Sequence, residues 1–494
     1  MTDIVPDNMT IKKNDKNKNS KLNTINNEDK LKQGIHTFSS EDDYIYPDDP
    51  ILRDAISDFS DLKLGFMMHF SPATQLGIVE SWALSRGDAA WSRRDADFID
   101  EDKFNQVYFD LYKTFNPLRF SAEDLADLAA SCGFKYLLFT TKHHDGFCMY
   151  DSLYTDYKIS NKDCPYSSNE NFDICKNLFD AFRNKGLKIS AYYSKADWHH
   201  ESYWDPNKKI ESRNVNYDIS KNQEQWNEFV EFTHNQFDEL MRNYGPIDAL
   251  WLDAGWVHKD NKGQDLRLNE IVPKLRKKYN NKLLLVDRTC GGEYENILTP
   301  EQSVPNRKIY APWESCITLG ENFSFSYNEK YKSLRDLIST FIEILSKGGN
   351  LALNVTPMPD GSLPRKAVHL LRQFGRFVNE NSEAIYGSTI SDVEPYENWR
   401  FVNKGNFDYA FFIYRTEPHF PKRVFLPSQN KVIKNIRCLR TGQSIPTCNA
   451  NGDIVSYQTC LTLEDRRYGT WIDTSKLDML YAEAAECFCI EYDE

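Results

Sequence analysis

The side chains able to do chemistry gather at one kind of place, the ends of short apolar runs. His69 follows GFMM, His143 and His144 follow LLFTTK, and Tyr192 and Tyr193 sit in SAYYS. Asp253 follows ALWL, and Asp287-Arg288 follow LLLV. A buried apolar strand has no structural need for titratable groups at its end. Any one of these alone reads as a satisfied core or loop residue, but their recurrence at the same end of five strands does not read as structural. Asp253 stands out. With Trp251-Leu252 before it and Ala254-Gly255-Trp256 after it, its carboxylate must be paired or hydrogen-bonded to stay ionised. The small residues that follow leave room for a ligand; the competing reading is an Asp that caps the next helix. Hydrolysis of a glycosidic bond needs two carboxylates, one as nucleophile or base and one as acid. Glu293 and Glu295 of GGEYEN, Glu301 of LTPEQ and Glu314 of PWESC are candidates for the second, and spacing alone does not choose among them. Trp82, Trp91, Trp198, Trp256, Trp313 and Phe325 are the expected platforms for a sugar's apolar face, though each alone is more often core.

The elements that must position these groups alternate. KLGFMMHF (63–70) has strand length, and Ser121 caps a helix, SAEDLADLAASCG, that ends at Gly133. KYLLFTTKHHDGF reads as a strand entering a loop, and a helix over 172–185 precedes the strand LKISAYYS. A long amphipathic helix carrying Trp226, Phe229, Val230, Phe237 and Leu240 precedes IDALWLDAGW, and another helical stretch precedes KLLLVDR. Leu334, Leu337, Ile338, Phe341, Ile342 and Leu345 form a stripe that stops at Gly348-Gly349, before NLALNVTP. This alternation predicts parallel strands with helical crossovers. Six or so near-continuous apolar strands favour a (β/α)-barrel over an open sheet, and no GxGxxG or P-loop follows any of them. In such a barrel the active site lies at the C-terminal ends of the strands. After about 390 the helical period disappears. FDYAFFIYR, KRVFLPS, KVIKNIRCLR, SYQTCLTLE and ECFCIEYD predict a small antiparallel β-sandwich.

At 494 residues the chain exceeds one ordinary core. The expected units are a Lys/Asn-rich disordered segment over 1–40, a barrel over 41–388 and the sandwich over 389–494. A net charge of −13 argues against nucleic acid as the main partner, and no apolar run approaches the ~20 residues that span a bilayer. The eleven cysteines are odd in number and show no CxxC or zinc-type spacing; Cys487 and Cys489 merely alternate with Phe488. Free thiols and an N-terminus without an apolar signal core predict a cytoplasmic protein.

In order along the chain, GFMMHF, VESW, TKHHDGF, AYYSKADW, ALWLDAGW, VDRT, PWESC, FSFSYN and SKGGNLALNVTPMPDG resemble the α-L-fucosidase family, glycoside hydrolase family 29. The resemblance runs from about 45 to 390. It implies a retaining exo-glycosidase that releases terminal α-L-fucose from an oligosaccharide or glycoconjugate, without cofactor or metal. Asp253 would be the nucleophile, forming a fucosyl-enzyme ester. His69, His143, His144, Tyr192 and Arg288 match positions that hold the sugar hydroxyls or the nucleophile, and Trp256 and Phe325 join them as aromatic contacts. Glu80 and Trp82 match a family Glu-Trp pair, here separated by Ser81. The resemblance points to Glu301, 24 residues before Phe325, as the acid/base, with Glu293 as the alternative; Glu301 should be raised toward neutrality by aromatic neighbours while donors hold Asp253 ionised. FSFSYN departs from the commoner Trp-Gly-Tyr. Three rivals stand: a metal hydrolase using His69, His143, His144 and Asp253, a carbohydrate-binding homologue without catalysis, and a glycosidase for a related sugar such as an α-L-galactoside. Adjacent strand residues face opposite ways, which disfavours the first, since His143 and His144 could not both line a regular strand's interior.

Overall fold

A computed structural model describes residues 38–414, 421–428, 431–448, 469–477 and 484–492. The segment 1–37 and the stretch SYQTCLTLE lie outside the described residues. Helix α1 (Pro50–Leu62) starts on Asp49, whose side chain accepts from the Ile51 amide, with Pro50 in the first turn. It leads into β1 (Leu64–Met68). There follow α2 (Ala122–Ser131), β2 (Tyr136–Lys142), α3 (Ile174–Asn184) and β3 (Lys188–Ser194). Next come α4 (Gln223–Asn243), β4 (Ala249–Asp253), α5 (Leu268–Lys278) and β5 (Leu284–Asp287). The chain continues through β6 (Glu314–Thr318), α6 (Leu334–Ser346), β7 (Asn350–Asn354) and α7 (Arg365–Glu380). Ser121 caps α2 as the sequence indicates, Asp173 caps α3, and Ser333 with Asp336 forms a capping box on α6.

The strands form a curled seven-stranded parallel sheet in the order β5-β4-β3-β2-β1-β7-β6. Strand β6 is absent from the sequence reading: ESCIT carries too many polar residues to read as an apolar run. Between β5 and β6 an irregular segment closes the wall through isolated bridges, Val286 to Glu295, Leu298 to Trp313 and Glu301 to Cys316. The two-residue period of a strand then sorts the side chains. Leu137, Phe139, Tyr193, Leu250, Leu252 and Leu285 pack outward against the helices. Met67, Tyr136, Leu138, Tyr192, Trp251, Val286, Cys316 and Ala352 fill the interior. Extended by one step, the inward series reaches His69, Asp253, Arg288 and Asn354. The site is the upper layer of the barrel's own core.

The C-terminal part holds a five-stranded antiparallel sheet, β12-β15-β10-β9-β8, and a three-stranded one, β11-β14-β13. Their ranges are β8 Thr389–Ile390, β9 Trp399–Lys404, β10 Phe407–Ile413, β11 Arg423–Pro427, β12 Ile433–Cys438, β13 Thr447–Cys448, β14 Gly469–Asp473 and β15 Ala485–Tyr492. Trp399, Phe412, Leu426, Ile472 and Phe488 pack between the two sheets, and the Trp399 indole donates to the Phe425 carbonyl at 2.8 Å. The opposite face of the larger sheet, with Val402, Tyr409 and Phe411, joins the barrel's outer core. Arg400 of β9 pairs with Glu343 of α6 at 2.7 Å. The described cysteines are free. Among the described residues no helix is long and apolar enough to cross a membrane.

Glu314 lies inside the barrel, where Tyr136 donates to one carboxylate oxygen and the Trp251 indole to the other at 3.1 Å. Burial pushes its carboxyl up to about 7 despite these donors. Its unfolded value is ~4.3, so the folded state holds an extra proton between the two, and Glu314 costs stability as pH rises through that window. Glu295 and Asp145 are also pushed up by burial, to about 7 and about 6, so the comparison must be differential. Glu314→Gln should gain stability relative to wild type from about pH 4.5 to 7 and hold that gain above it, read from denaturant unfolding across pH. A pH-independent difference would show that Glu314 titrates normally.

Candidate active site

Asp253 ends β4 with 8% of its surface exposed. Tyr192 of β3 donates its hydroxyl to Oδ2 at 2.6 Å, and Arg288, just past β5, donates to Oδ1 at 2.8 Å. Burial alone would raise this carboxyl, but the Arg288 charge and the Tyr192 hydrogen bond outweigh it and hold Asp253 well below the usual carboxylate range. The other terminal nitrogen of Arg288 pairs with Glu301. One guanidinium thus holds both carboxylates. The site sets this cation, rather than an aromatic wall, against Glu301.

Local backbone places these groups. Ala254 has φ 73°, a left-handed conformation costly for a residue with a Cβ. At Gly255 a Cβ would meet Thr289 Oγ1 at 1.9 Å and the Arg288 carbonyl at 2.9 Å. The glycine two residues after Asp253 therefore admits the Arg288–Thr289 backbone rather than a ligand. Glu295 accepts from the Thr289 and Gly291 amides at 3.1 and 2.7 Å, which fixes the same loop.

Three imidazoles border Asp253, each held through Nδ1. His69 Nδ1 lies 2.8 Å from Asn354 Oδ1, and Asn354 donates its amide to the Phe323 carbonyl at 2.9 Å. The Asn354 oxygen must then accept, which puts the His69 proton on Nδ1 and leaves Nε2 an acceptor. The same reasoning covers His144: Ser194 Oγ donates to the Ala196 carbonyl at 2.7 Å and so accepts from His144 Nδ1 at 2.5 Å. His143 Nδ1 lies 2.5 Å from Ser81 Oγ. Burial lowers all three: His69 to about 4, His144 to about 3, and His143 well below its ordinary value, with the neighbouring imidazoles adding to the effect.

A cavity of about 230 Å³ opens above Asp253. Its lining includes the expected His69, Glu80, Trp82, His143, Tyr192, Asp253, Trp256, Arg288 and Glu301. His144 sits behind them, its Nε2 3.7 Å from Asp253 Oδ2. Glu80 is buried, its Oε1 has no hydrogen-bond partner, and burial with the nearby Glu301 and Asp253 pushes its carboxyl well above the usual range. Trp82 packs on Trp256 and Trp198 beneath the Arg213 guanidinium. Phe325 is placed outside the lining, packed on Tyr327, and Phe323 occupies the cavity wall beside His69. Glu293 lines a different cavity with Lys195, Asp287 and Tyr294. Glu295 and Glu314 are engaged in the loop and the barrel interior described above. Sequence reasoning missed Trp251 as the cavity floor, Gln302, Asn322 and Phe323 on the wall, and Ser81, Ser194 and Asn354 behind the histidines. Strand alternation could have found Trp251, Ser194 and Asn354, which lie on the inward series of β4, β3 and β7; nothing periodic marks the others.

His143, His144 and Asp253 bring ligand atoms within 4.8 Å of one another. Strand alternation does not separate the two histidines, because β2 ends at Lys142 with a register irregularity after Thr140. Lys142 turns outward to Tyr193 and Asp197, and both histidines lie beyond the strand. A cation here would share its carboxylate with the Arg288 guanidinium, and that fixed charge opposes it.

An ionised carboxylate and a second carboxyl within reach of one ring, at the C-terminal mouth of a parallel barrel, form the constellation of a glycoside hydrolase. A family model described as Alpha-L-fucosidase matches residues 36–383. The alpha-L-fucosidase of Dictyostelium discoideum is 24% identical over 378 residues, covering 72% of this chain and 77% of that protein. The tissue alpha-L-fucosidase of Homo sapiens is 28% identical over 335 residues, covering 63% and 65%; the chain thus spans just under two thirds of that relative. The solved structure of alpha-L-fucosidase isoenzyme 1 from Paenibacillus thiaminolyticus has a TM-score of 0.72 at 26% identity, covering 90% of this chain and 100% of its own. The chain belongs to the α-L-fucosidase family.

Incubation with EDTA should leave hydrolysis of an aryl α-L-fucoside unchanged. A loss restored by a divalent cation would assign His143, His144 and Asp253 to a metal.

Proposed function

We propose that the chain is a retaining exo-α-L-fucosidase acting on fucosylated oligosaccharides or glycoconjugates. The observation that carries this reading is the buried Asp253, kept ionised by Tyr192 and Arg288 at the floor of a ring-sized cavity. At about 230 Å³ the cavity lies below the ~300–1,000 Å³ typical of drug-sized ligands, which suits a single terminal sugar. Asp253 attacks the anomeric carbon and Glu301 protonates the departing oxygen. Glu301 then takes a proton from the water that hydrolyses the ester. Retention calls for carboxyl groups ~5–5.5 Å apart, and one guanidinium draws these two toward each other. To donate, Glu301 must leave Arg288 and first take up a proton from solvent, and the glycosidic oxygen entering between them provides the occasion. The Nε2 atom of His69, on the cavity wall, accepts from a sugar hydroxyl. Met67 and Phe323 on the lining offer apolar surface to a 6-deoxy carbon, although an apolar wall rejects an added hydroxyl by only ~10²-fold. An α-L-galactoside should accordingly be a slow substrate.

Asp253→Ala should lose on the order of 10³-fold or more of kcat on an aryl α-L-fucoside, with azide restoring turnover as a fucosyl azide. A 2-fluoro-fucosyl reagent should label Asp253, and label on any other side chain would overturn the assignment. Glu301→Gln should depress turnover most for poor leaving groups, by ~10²–10⁴-fold, while Glu293→Gln stays near wild type. The reverse pattern would move the acid/base to Glu293. Fucoside binding by wild type without turnover would point to the carbohydrate-binding homologue.

A further inference from the structure

Trp91 also lines the cavity, yet 45% of its surface is exposed. Trp251 and Trp256, on the same lining, are 2% and 3% exposed. An indole left half in water at the mouth of a site is not explained by the core. Its support is firm: Trp91 sits on a short 3-10 segment, Ala90–Ala96. Ser92 Oγ donates to the Ala89 carbonyl at 2.6 Å, and Arg93 donates to the Ala83 carbonyl at 2.7 Å while its guanidinium stacks 4.1 Å from the Phe104 ring centre. Asp88, just upstream, pairs with Arg213, whose guanidinium covers Trp82 and Trp256. The ledge carrying Trp91 is therefore tied to the platforms inside the cavity. Glu321 and Asn322 complete the lining. Among the described residues, Arg288 is the one cationic side chain on it, against Asp253, Glu301 and Glu321, while burial holds Glu80 toward its neutral form. Arg288 is committed to two of these.

Resting on the fucosidase reading, we infer that Trp91 is the stacking platform for the leaving group, and that the group it takes is a neutral sugar ring. The apolar face of a pyranose lies against the indole, and the acidic lining disfavours an anionic leaving group. Trp91 is a specificity residue: it touches what departs, not the carbon that reacts.

The test compares α-L-fucosyl fluoride, whose leaving group is one atom and reaches no platform, with a panel of neutral fucosyl disaccharides covering the common linkages. In Trp91→Ala, kcat/KM for the preferred disaccharide should fall roughly three- to tenfold while the fluoride changes less than about twofold. Trp91→Tyr should restore most of the loss. The fluoride also reports that the variant folds. A sulfated version of the same disaccharide should be cut more slowly than the neutral one, and Glu321→Gln should narrow that gap. Equal losses on both substrates, no loss on either, or a wild type that cleaves the fluoride but none of the disaccharides would overturn the platform. A wild type that leaves the fluoride intact would overturn the fucosidase reading itself, and the platform with it.

Discussion

The arrangement depends on one guanidinium. A carboxylate at the depth of Asp253 loses its hydration, and the cost is several kcal/mol unless fixed donors replace the water. Arg288 supplies the charge and Tyr192 the second hydrogen bond. Since Arg288 also reaches Glu301, the ion that stabilises the candidate nucleophile positions the candidate acid/base. Much of the nearby backbone serves this one side chain. Gly255 lets the Arg288–Thr289 segment come close, and Glu295, itself engaged by Ser39 at 2.6 Å, ties the loop that follows.

The imidazoles complement that charge by carrying none. Their Nδ1 atoms are occupied by Asn354, Ser81 and Ser194, and burial disfavours protonation. Neutral rings with a free Nε2 accept hydrogen bonds, which is what hydroxyl donors of a sugar require. A charged imidazolium could only donate, and it would compete with Arg288 for Asp253. All three short polar partners fix ring position, and Asn354 and Ser194 also select the tautomers of His69 and His144.

Much of this was legible in the sequence because a strand's period of two is rigid. Met67, Tyr192, Trp251, Val286 and Ala352 face inward, so His69, Asp253, Arg288 and Asn354 must face inward one step later. That logic removes Tyr193 from the site, and the structure sends its hydroxyl outward to Gln236 of α4 at 2.7 Å. It failed where the chain leaves regular geometry. The irregularity after Thr140 puts His143 and His144 beyond the strand, where alternation no longer applies. Phe323 and Phe325 differ by two residues in a loop, and no period tells which one faces the cavity. Strand β6 escaped because its inward positions are Glu314, Cys316 and Thr318 rather than aliphatics.

The same distinction explains why the second carboxylate was the harder one to choose. Glu301 lies on the irregular segment that closes the wall between β5 and β6, bridged to Cys316 and followed by Gln302 at φ 48°. A regular eighth strand there would align its side chains with the rest of the lumen, at the depth of Trp251 and Cys316. The looser segment instead carries the Glu301 carboxylate to the cavity lining, within reach of Arg288. The two candidate carboxylates stand on different supports: Asp253 is fixed by groups from three strands, Glu301 by an irregular segment and the same guanidinium. The departure from strand geometry that brings Glu301 to the lining beside Arg288 is the feature that hides it from periodic reading.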